Sequence, residues 1–313
     1  MYGFSLDIPT PDGGMPAIDR VMRLAERLWN CGSEIFMPKP RFDQITDETI
    51  AIASRIQKTF GIPIFFHPFE RDSLGNWHIA NDAVHMKLMV KTYKRLFEAI
   101  RDNGFYPLFV FHGGRLEAEG TLINGKERVT VEEAMEGTAD FIRALQDAKA
   151  DVFRKTRGDI ALAIENMPKE NKGEYPLCYS LRQMKRLRSV CARNELPNKV
   201  FWNLFFVLDL GHLQLTNDTI DIYQSVVDNS KCVHISGNRL KAKKKDDSHL
   251  KAVREHLRNP QEIEFFLAHP DMKHVAKIFE NTENQLSQIS DRGLRYMVNS
   301  YKRGVIPCAA NVR

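Results

Sequence analysis

No two of the five cysteines fall in a CxxC spacing: Cys31, Cys178, Cys191, Cys232 and Cys308 are scattered along 313 residues. An odd, dispersed set excludes a disulfide framework and a thiolate zinc site, and implies free thiols. No stretch reaches the roughly 18 uninterrupted apolar residues that a membrane helix needs, so no membrane partner is expected. The opening MYGFSLDIPTPDGG lacks the basic start and long apolar run of a secretory leader. A cytoplasmic protein is therefore the expectation. The glycine pair Gly13-Gly14 does not make a GxGxxG turn, which counts against an open dinucleotide-binding sheet. Charge of one sign is scarce too. Lys and Arg number 45 against 40 Asp and Glu, a net +5 that permits an anionic partner without demanding one. No low-complexity linker or composition break divides the chain, so residues 1–313 are read as a single domain.

What is present is an alternation of short apolar runs with longer amphipathic ones. The apolar runs are YGFSLD (2–7), SEIFMP (33–38), IPIFFH (62–67), YPLFVFH (106–112), IALAIE (160–165), FFVLDL (205–210), KCVHIS (231–236) and VAKIFE (275–280). Runs that are apolar on both faces suit parallel strands covered by helices. Between them, Ile18, Val21, Met22, Ala25, Leu28 and Trp29 recur at the three-and-four spacing of one helix face. Similar patterns are expected near 46–59, 80–103, 131–148, 180–194, 217–229, 247–268 and 284–302. Eight strand–helix units point to a TIM (β/α)8 barrel, with an open doubly wound sheet as the structural alternative.

A barrel of this kind carries its chemistry at the C-terminal ends of its strands. Six successive runs bring a His, Asp or Glu to that end: His67, His112, Glu165, Asp209, His234 and Glu280, with His212 one turn after Asp209. A lone histidine after a strand is usually a satisfied structural residue, but six in a row around one rim resist that reading. Buried carboxylates that converge repel one another and are costly to desolvate unless they coordinate a cation. Imidazole and carboxylate without thiolate suit zinc, manganese or iron, and suit calcium poorly. Asp247 and His249 lie two apart in the loop NRLKAKKKDDSHL, so an extended loop points both to one side and toward a further metal position. The bland alternative for that pair is a solvated loop. His78, His85, His256, His269 and His274 fall in or beside helical stretches and read as surface or packing residues.

The ordered set His67, His112, Glu165, Asp209-x-x-His212, His234, Asp247-x-His249 and Glu280 resembles the nine-ligand constellation of the endonuclease IV family, within the xylose isomerase-like superfamily. The segments GFSLDIPTPDGGMPAIDRVMRLA and SEIFMPKPRF extend that likeness to the start of the chain. The resemblance implies a TIM barrel with two or three zinc ions that hydrolyses DNA 5′ to abasic sites. It implies that His67 and His112 hold one ion, that Glu165 bridges to a second held by Asp209, His234 and Glu280, and that His212, Asp247 and His249 hold a third. Glu165 and Glu280 would be the catalytic groups, managing the proton of the attacking water. Lys39, Arg41, Arg239, Lys243, Lys244 and Lys245 would contact the DNA backbone, and the loop GGRLEAEGTLINGKERVT would form a wall or lid.

The chain departs from the family pattern at Ser5, where the family has histidine. It departs again at Phe69-Glu70, near the family's DNA-probing tyrosine, and at Ser236. His249 also leads into LKAVREHLRN, which reads as a helix where the family has a glycine-rich turn. None of these changes removes a ligand. The alternative is a metal-dependent sugar or sugar-phosphate isomerase or epimerase, which uses only the quartet Glu165, Asp209, His234 and Glu280. In that reading Glu165 and Glu280 move a proton on either face of a hydroxy-ketone. A third possibility is a non-catalytic barrel that keeps metal for structure.

Overall fold

The structure, a computed structural model, describes residues 1–8, 17–40, 45, 47–68, 83–102, 108–113, 115–116, 131–155, 159–168, 175–176, 178, 180–193, 204–215, 230–238 and 250–312. Strand β1 (Tyr2–Asp7) leads through helix α1 (Ala17–Asn30) to β2 (Ile35–Lys39), followed by α2 (Asp47–Phe60) and α3 (Ala83–Asp102). Next come β3 (Leu108–His112), the short β4 (Arg115–Leu116), α4 (Val131–Phe153), β5 (Ala161–Glu165), the short β6 (Tyr175–Pro176) and α5 (Leu181–Arg193). The chain continues through β7 (Leu204–Asp209), α6 (Leu210–Leu215), β8 (Ser230–Ile235), α7 (Pro260–Ala268), β9 (Ala276–Phe279), α8 (Glu283–Ser287) and α9 (Asp291–Lys302).

Seven of these strands form one parallel sheet in the order β2-β1-β9-β8-β7-β5-β3. The run at 62–67 lies between the two outer strands. Ile64 bridges Phe36 of β2 and Phe66 bridges Phe109 of β3. Phe65 N–H donates to the Phe36 carbonyl at 2.9 Å, and Val110 N–H to that of Phe66 at 2.7 Å. Pro63 near the start of the run and Pro68 just past its end remove donors at both ends, which explains bridges where a full ladder was expected. The result is a curled, barrel-like α/β fold.

The period-two alternation of a strand sorts the side chains into two cores. One parity packs outward against the helices, with Phe4, Phe36, Tyr93, Phe97, Phe109, Phe111 and Phe141 among its largest members. Tyr93 and Phe97 of α3 meet the Phe109 ring at 4.9 and 5.2 Å between centroids. The other parity fills the interior with Ile35, Met37, Leu108, Val110, Ala163, Val207, Cys232, Ala276 and Ile278, with Phe65 and Phe205 beside them.

Two helical expectations change. The stretch 247–268 is not continuous: Arg254–His256 is a single 3-10 turn, and α7 begins only at Pro260. The residue before a proline is pushed out of helical conformation, and Asn259 sits at φ −130°, ψ 70°. Leu250 pairs instead with Gly237 in an antiparallel bridge. The stretch 284–302 is two helices, because Ser290 accepts from Gly293 N–H and starts α9 afresh. The two-residue ladder of β4 with β6 had no signal in the apolar pattern. The helix expected at 217–229 lies outside the described residues.

One buried cation belongs to the outer parity. Lys277 is 3% exposed, donates to the Met272 carbonyl and lies over the Tyr2 ring, 5.6 Å from its centroid. Burial pushes its ammonium down to about 8, from 10.5 when solvated. Between those pH values the unfolded chain holds the proton and the folded chain does not, so stability rises with pH there. Below pH 8 both states carry the charge, and the cost of burying it is present in full. Lys277→Met is therefore expected to raise the melting temperature at pH 7, with the gain vanishing near pH 10.5. A variant that melts below the parent at pH 7 would show that the hydrogen bond to Met272 outweighs the desolvation.

Candidate metal centre

Every polar residue of the expected rim stands two positions beyond an interior apolar residue, on the same parity. Phe65 precedes His67, Val110 precedes His112, and Ala163 precedes Glu165. Val207 precedes Asp209, Cys232 precedes His234, and Ile278 precedes Glu280. The site is thus the top layer of the interior, resting on an apolar floor. Side-by-side register carries the alignment across strands: His112 pairs with Glu165, and Asp209 with His234. His67, Glu165, Asp209 and His234 are 0% exposed, Glu280 3%, His212 4% and His112 8%.

Glu165 lies at the centre. Its Oε2 is 2.7 Å from His67 Nε2 and 3.4 Å from His112 Nε2. Its Oε1 is 3.1 Å from His234 Nδ1 and 3.4 Å from His212 Nδ1. His234 Nδ1 is also 3.3 Å from Glu280 Oε2 and 4.0 Å from Asp209 Oδ2. The rings of His67 and His112 meet edge to face, 4.8 Å apart. Burial pushes the His67 imidazole well below its ordinary range, against the pull of Glu165. Burial by itself would raise the Glu165 carboxyl, but His234 and His67 override it and hold it well below the usual carboxylate range. Neutral imidazole and ionised carboxylate are the forms that ligate metal.

Two details indicate that these groups fit a cation and not merely one another. Glu165 Oε2 and His234 Nε2 are fully buried without a hydrogen bond, although the carboxylate oxygen is so close to His67. Three groups each bring their donor atoms within 4.8 Å of one another: His67, His112 and Glu165; His67, His234 and Glu280; and Glu165, Asp209, His234 and Glu280. Mixed imidazole and carboxylate donors without sulfur match zinc, manganese or iron. Cys232 lies one layer below, and burial pushes its thiol well above the ordinary range, so it offers no thiolate.

The structure also fixes how the ligands are held. Asp209 N–H donates to Asn166 Oδ1 at 2.6 Å, and Asn166 Nδ2 donates back to the Asp209 carbonyl at 3.1 Å. The Asn166 carbonyl is 2.6 Å from His212 Nδ1, and Asp209 Oδ1 accepts from His212 N–H at 2.7 Å. The contact at Nδ1 turns His212 Nε2 toward Asp209 Oδ2, 3.9 Å away. Asn238 Nδ2 donates to the Gly211 carbonyl at 2.6 Å. A Cβ on Gly211 would overlap Ser236 Oγ, so only glycine lets α6 begin this close to β8. Such outer partners orient ligands and set their basicity. Asn166 and Asn238 were not singled out in the sequence. The ENMP motif, with asparagine directly after a strand-end glutamate, was the available signal for the first.

Of the expected ligands, His67, His112, Glu165, Asp209, His212, His234 and Glu280 come together. Asp247 and His249 lie outside the described residues, as do Arg41, Arg239, Lys243, Lys244, Lys245, Phe69, Glu70 and His78. Most of the loop after β3 does too. Ser5 is buried on the inward parity of β1, its hydroxyl 3.5 Å from the Phe279 carbonyl. Lys39, read from the sequence as a rim cation, is turned inward and ion-pairs with Glu280, each side chain 4% exposed. The parity of Ile35, Met37 and Lys39 in β2 foretells that direction. His256 is half-buried, its Nδ1 2.9 Å from the Lys251 carbonyl. His269 caps a 3-10 turn, in keeping with a structural role.

No protein-family model and no curated protein sequence matches the chain. Solved structures do match in shape. A D-tagatose 3-epimerase-like protein superposes with TM-score 0.64 at 14% identity, covering 96% of this chain and 97% of its own. A 3-keto-D-glucoside 4-epimerase from E. coli gives TM-score 0.64 at 12% identity, covering 96% and 98%. SacUVDE gives TM-score 0.55 at 14% identity, covering 97% and 99%. The chain therefore shares the barrel-like α/β fold of these proteins. These identities carry the fold and not the endonuclease IV family in particular.

Proposed function

We propose that the chain is a metal-dependent isomerase or epimerase of a small polyhydroxy ketone. The observation that carries this is the buried quartet Glu165, Asp209, His234 and Glu280, at the ends of four strands, whose donor atoms lie within 4.8 Å of one another. One protein of similar fold is named as a 3-keto-D-glucoside 4-epimerase and another as D-tagatose 3-epimerase-like. Those four residues would hold one divalent ion, which supplies electrophilic polarisation of a substrate carbonyl when bound. Glu165 on β5 and Glu280 directly after β9 flank His234, at 3.1 and 3.3 Å from its Nδ1. One carboxylate removes the proton from the carbon beside the carbonyl. The other returns a proton to the opposite face, inverting that centre. The apolar floor of Met37, Val110, Ala163, Val207 and Ile278 excludes water from beneath, which strengthens each charge in the site.

A second reading keeps its own observation. His67 and His112 gather on the far oxygen of Glu165 and add donors that a one-ion epimerase does not use. They support a multinuclear phosphodiesterase acting on DNA, with zinc as its metal. The discriminating assay incubates the metal-loaded protein in deuterium oxide with a panel of keto sugars, beside a duplex carrying one abasic site. The expected result is deuterium entering the carbon next to the carbonyl, with epimer formation and no strand incision. Incision of the duplex with every sugar left undeuterated would replace the first reading by the second.

A further inference from the structure

We infer that Lys39 is the built-in second cation of this centre: its ammonium, clamped on Glu280, limits the site to one tightly held divalent ion and favours an uncharged polyhydroxy substrate over a phosphate ester. This rests on the metal-centre reading above and adds to it a stoichiometry and a substrate class.

A lysine this deeply buried is rare unless its charge is paired. The side chains of Lys39 and Glu280 are both 4% exposed and form an ion pair. The pair is not incidental to the site, since Glu280 belongs to two of the three donor groups, one with His67 and His234 and one with Glu165, Asp209 and His234. Nζ takes Glu280 Oε1. The other oxygen, Oε2, faces His234 at 3.3 Å. Glu280 thus presents one oxygen to the interior, as a ligand to a single ion does, and the second is engaged by the ammonium.

The charge count leads to the same place. Among the described residues, Glu165, Asp209 and Glu280 bring three negative charges into the layer, and Lys39 returns one positive. The histidines enter as neutral ligands. The sum is minus two, which one divalent ion neutralises. A second divalent ion would leave a buried excess of plus two, to be offset by further anions such as a phosphate or metal-bound hydroxide. It would also have to use His67, whose imidazole already feels the Lys39 charge. A neutral centre has no such requirement and accepts a neutral sugar without leaving charge uncompensated in a low-dielectric cavity.

The test is a stepwise titration of the metal-free protein with cobalt(II), followed by calorimetry and absorption, with ion content counted after gel filtration. The wild type is expected to retain one ion, with any second site weaker by at least about 100-fold. Lys39→Met, which keeps the stem and removes the charge, is expected to tighten the second site by a factor of that order and to retain two ions. Lys39→Arg, which keeps the charge, should keep the second site weak. In turnover, the parent should prefer a keto sugar to its phosphate ester, and Lys39→Met should shift that preference toward the ester. Two ions of similar affinity in the wild type would overturn the inference while leaving the metal reading intact. This arm holds even where Lys39→Met fails to fold. A folded Lys39→Met with an unchanged second site would overturn it as well, and a wild type that binds no ion would overturn both.

Discussion

Replacing Glu165 by glutamine is expected to lower kcat by about a thousandfold or more, within the range that a positioned acid or base contributes, while leaving the barrel folded. Glu165 is 0% exposed, and both its oxygens are committed to the centre, one facing His67 and His112 and the other His234 and His212. Glutamine has nearly the same shape, so packing survives. Its amide, however, is a poor ligand and neither takes nor gives the substrate proton. The substitution also removes one of three converging negative charges, so the metal-free variant should melt within a few degrees of the metal-free parent. The checks are kcat on the substrate found by the deuterium assay, bound ion content, and near-ultraviolet circular dichroism for the fold. Retained turnover would take Glu165 out of the chemistry.

Removing the metal should have the next largest effect. Prolonged dialysis against a chelator is expected to abolish activity and to lower the melting temperature. Added manganese, cobalt or zinc should restore both, and calcium should do so poorly, because the donors include nitrogen and are too few for it. An ion that binds only the folded chain stabilises it by about 4 kcal/mol at a thousand times its dissociation constant. For a chain of this size that amounts to roughly 5–10 °C. The physical reason is the net negative charge left among Glu165, Asp209, Glu280 and Lys39 when no ion is bound. A melting curve and an activity indifferent to chelator, with ion loss verified by elemental analysis, would sink the metal-centre reading.

Much of this was legible in the residues. Seven of the eight apolar runs are strands, because unbroken Val, Ile, Leu and Phe leave a parallel strand few other places to go. The rim positions His67, His112, Glu165, Asp209, His234 and Glu280 stood out because a polar residue closing an apolar run is costly without a purpose. The failures have equally physical causes. Helix periodicity continued across Asn259-Pro260 and across Ser290, and only the backbone demands of proline and of a cap divide it. The charge of Lys39 and its place after the second strand put it on the substrate side of the rim, and they do not show that it turns inward onto Glu280. Its parity with Ile35 and Met37 was the stronger signal. Asn166 escaped notice because its partners lie far along the chain, the Asp209 backbone and the His212 ring. The expectation of an endonuclease IV barrel rested on a ligand order of which seven members are seen to converge. What that order cannot encode is which of the overlapping donor groups an ion takes first.

The even spacing of the interior has a consequence for how this architecture changes over time. Floor and ligand alternate with outward residues two by two, so each strand has something like a reading frame. Deleting one residue inside β5 would not merely shorten it. Glu165 would swing toward the helices and a hydrophobic residue would enter the centre. Substitutions on the outward parity, and insertions beyond the strand ends, leave that frame untouched. A lineage can therefore rewrite most of its letters while keeping the phase of a few, and barrels that share only 12–14% of their residues with this chain still superpose over nearly its whole length.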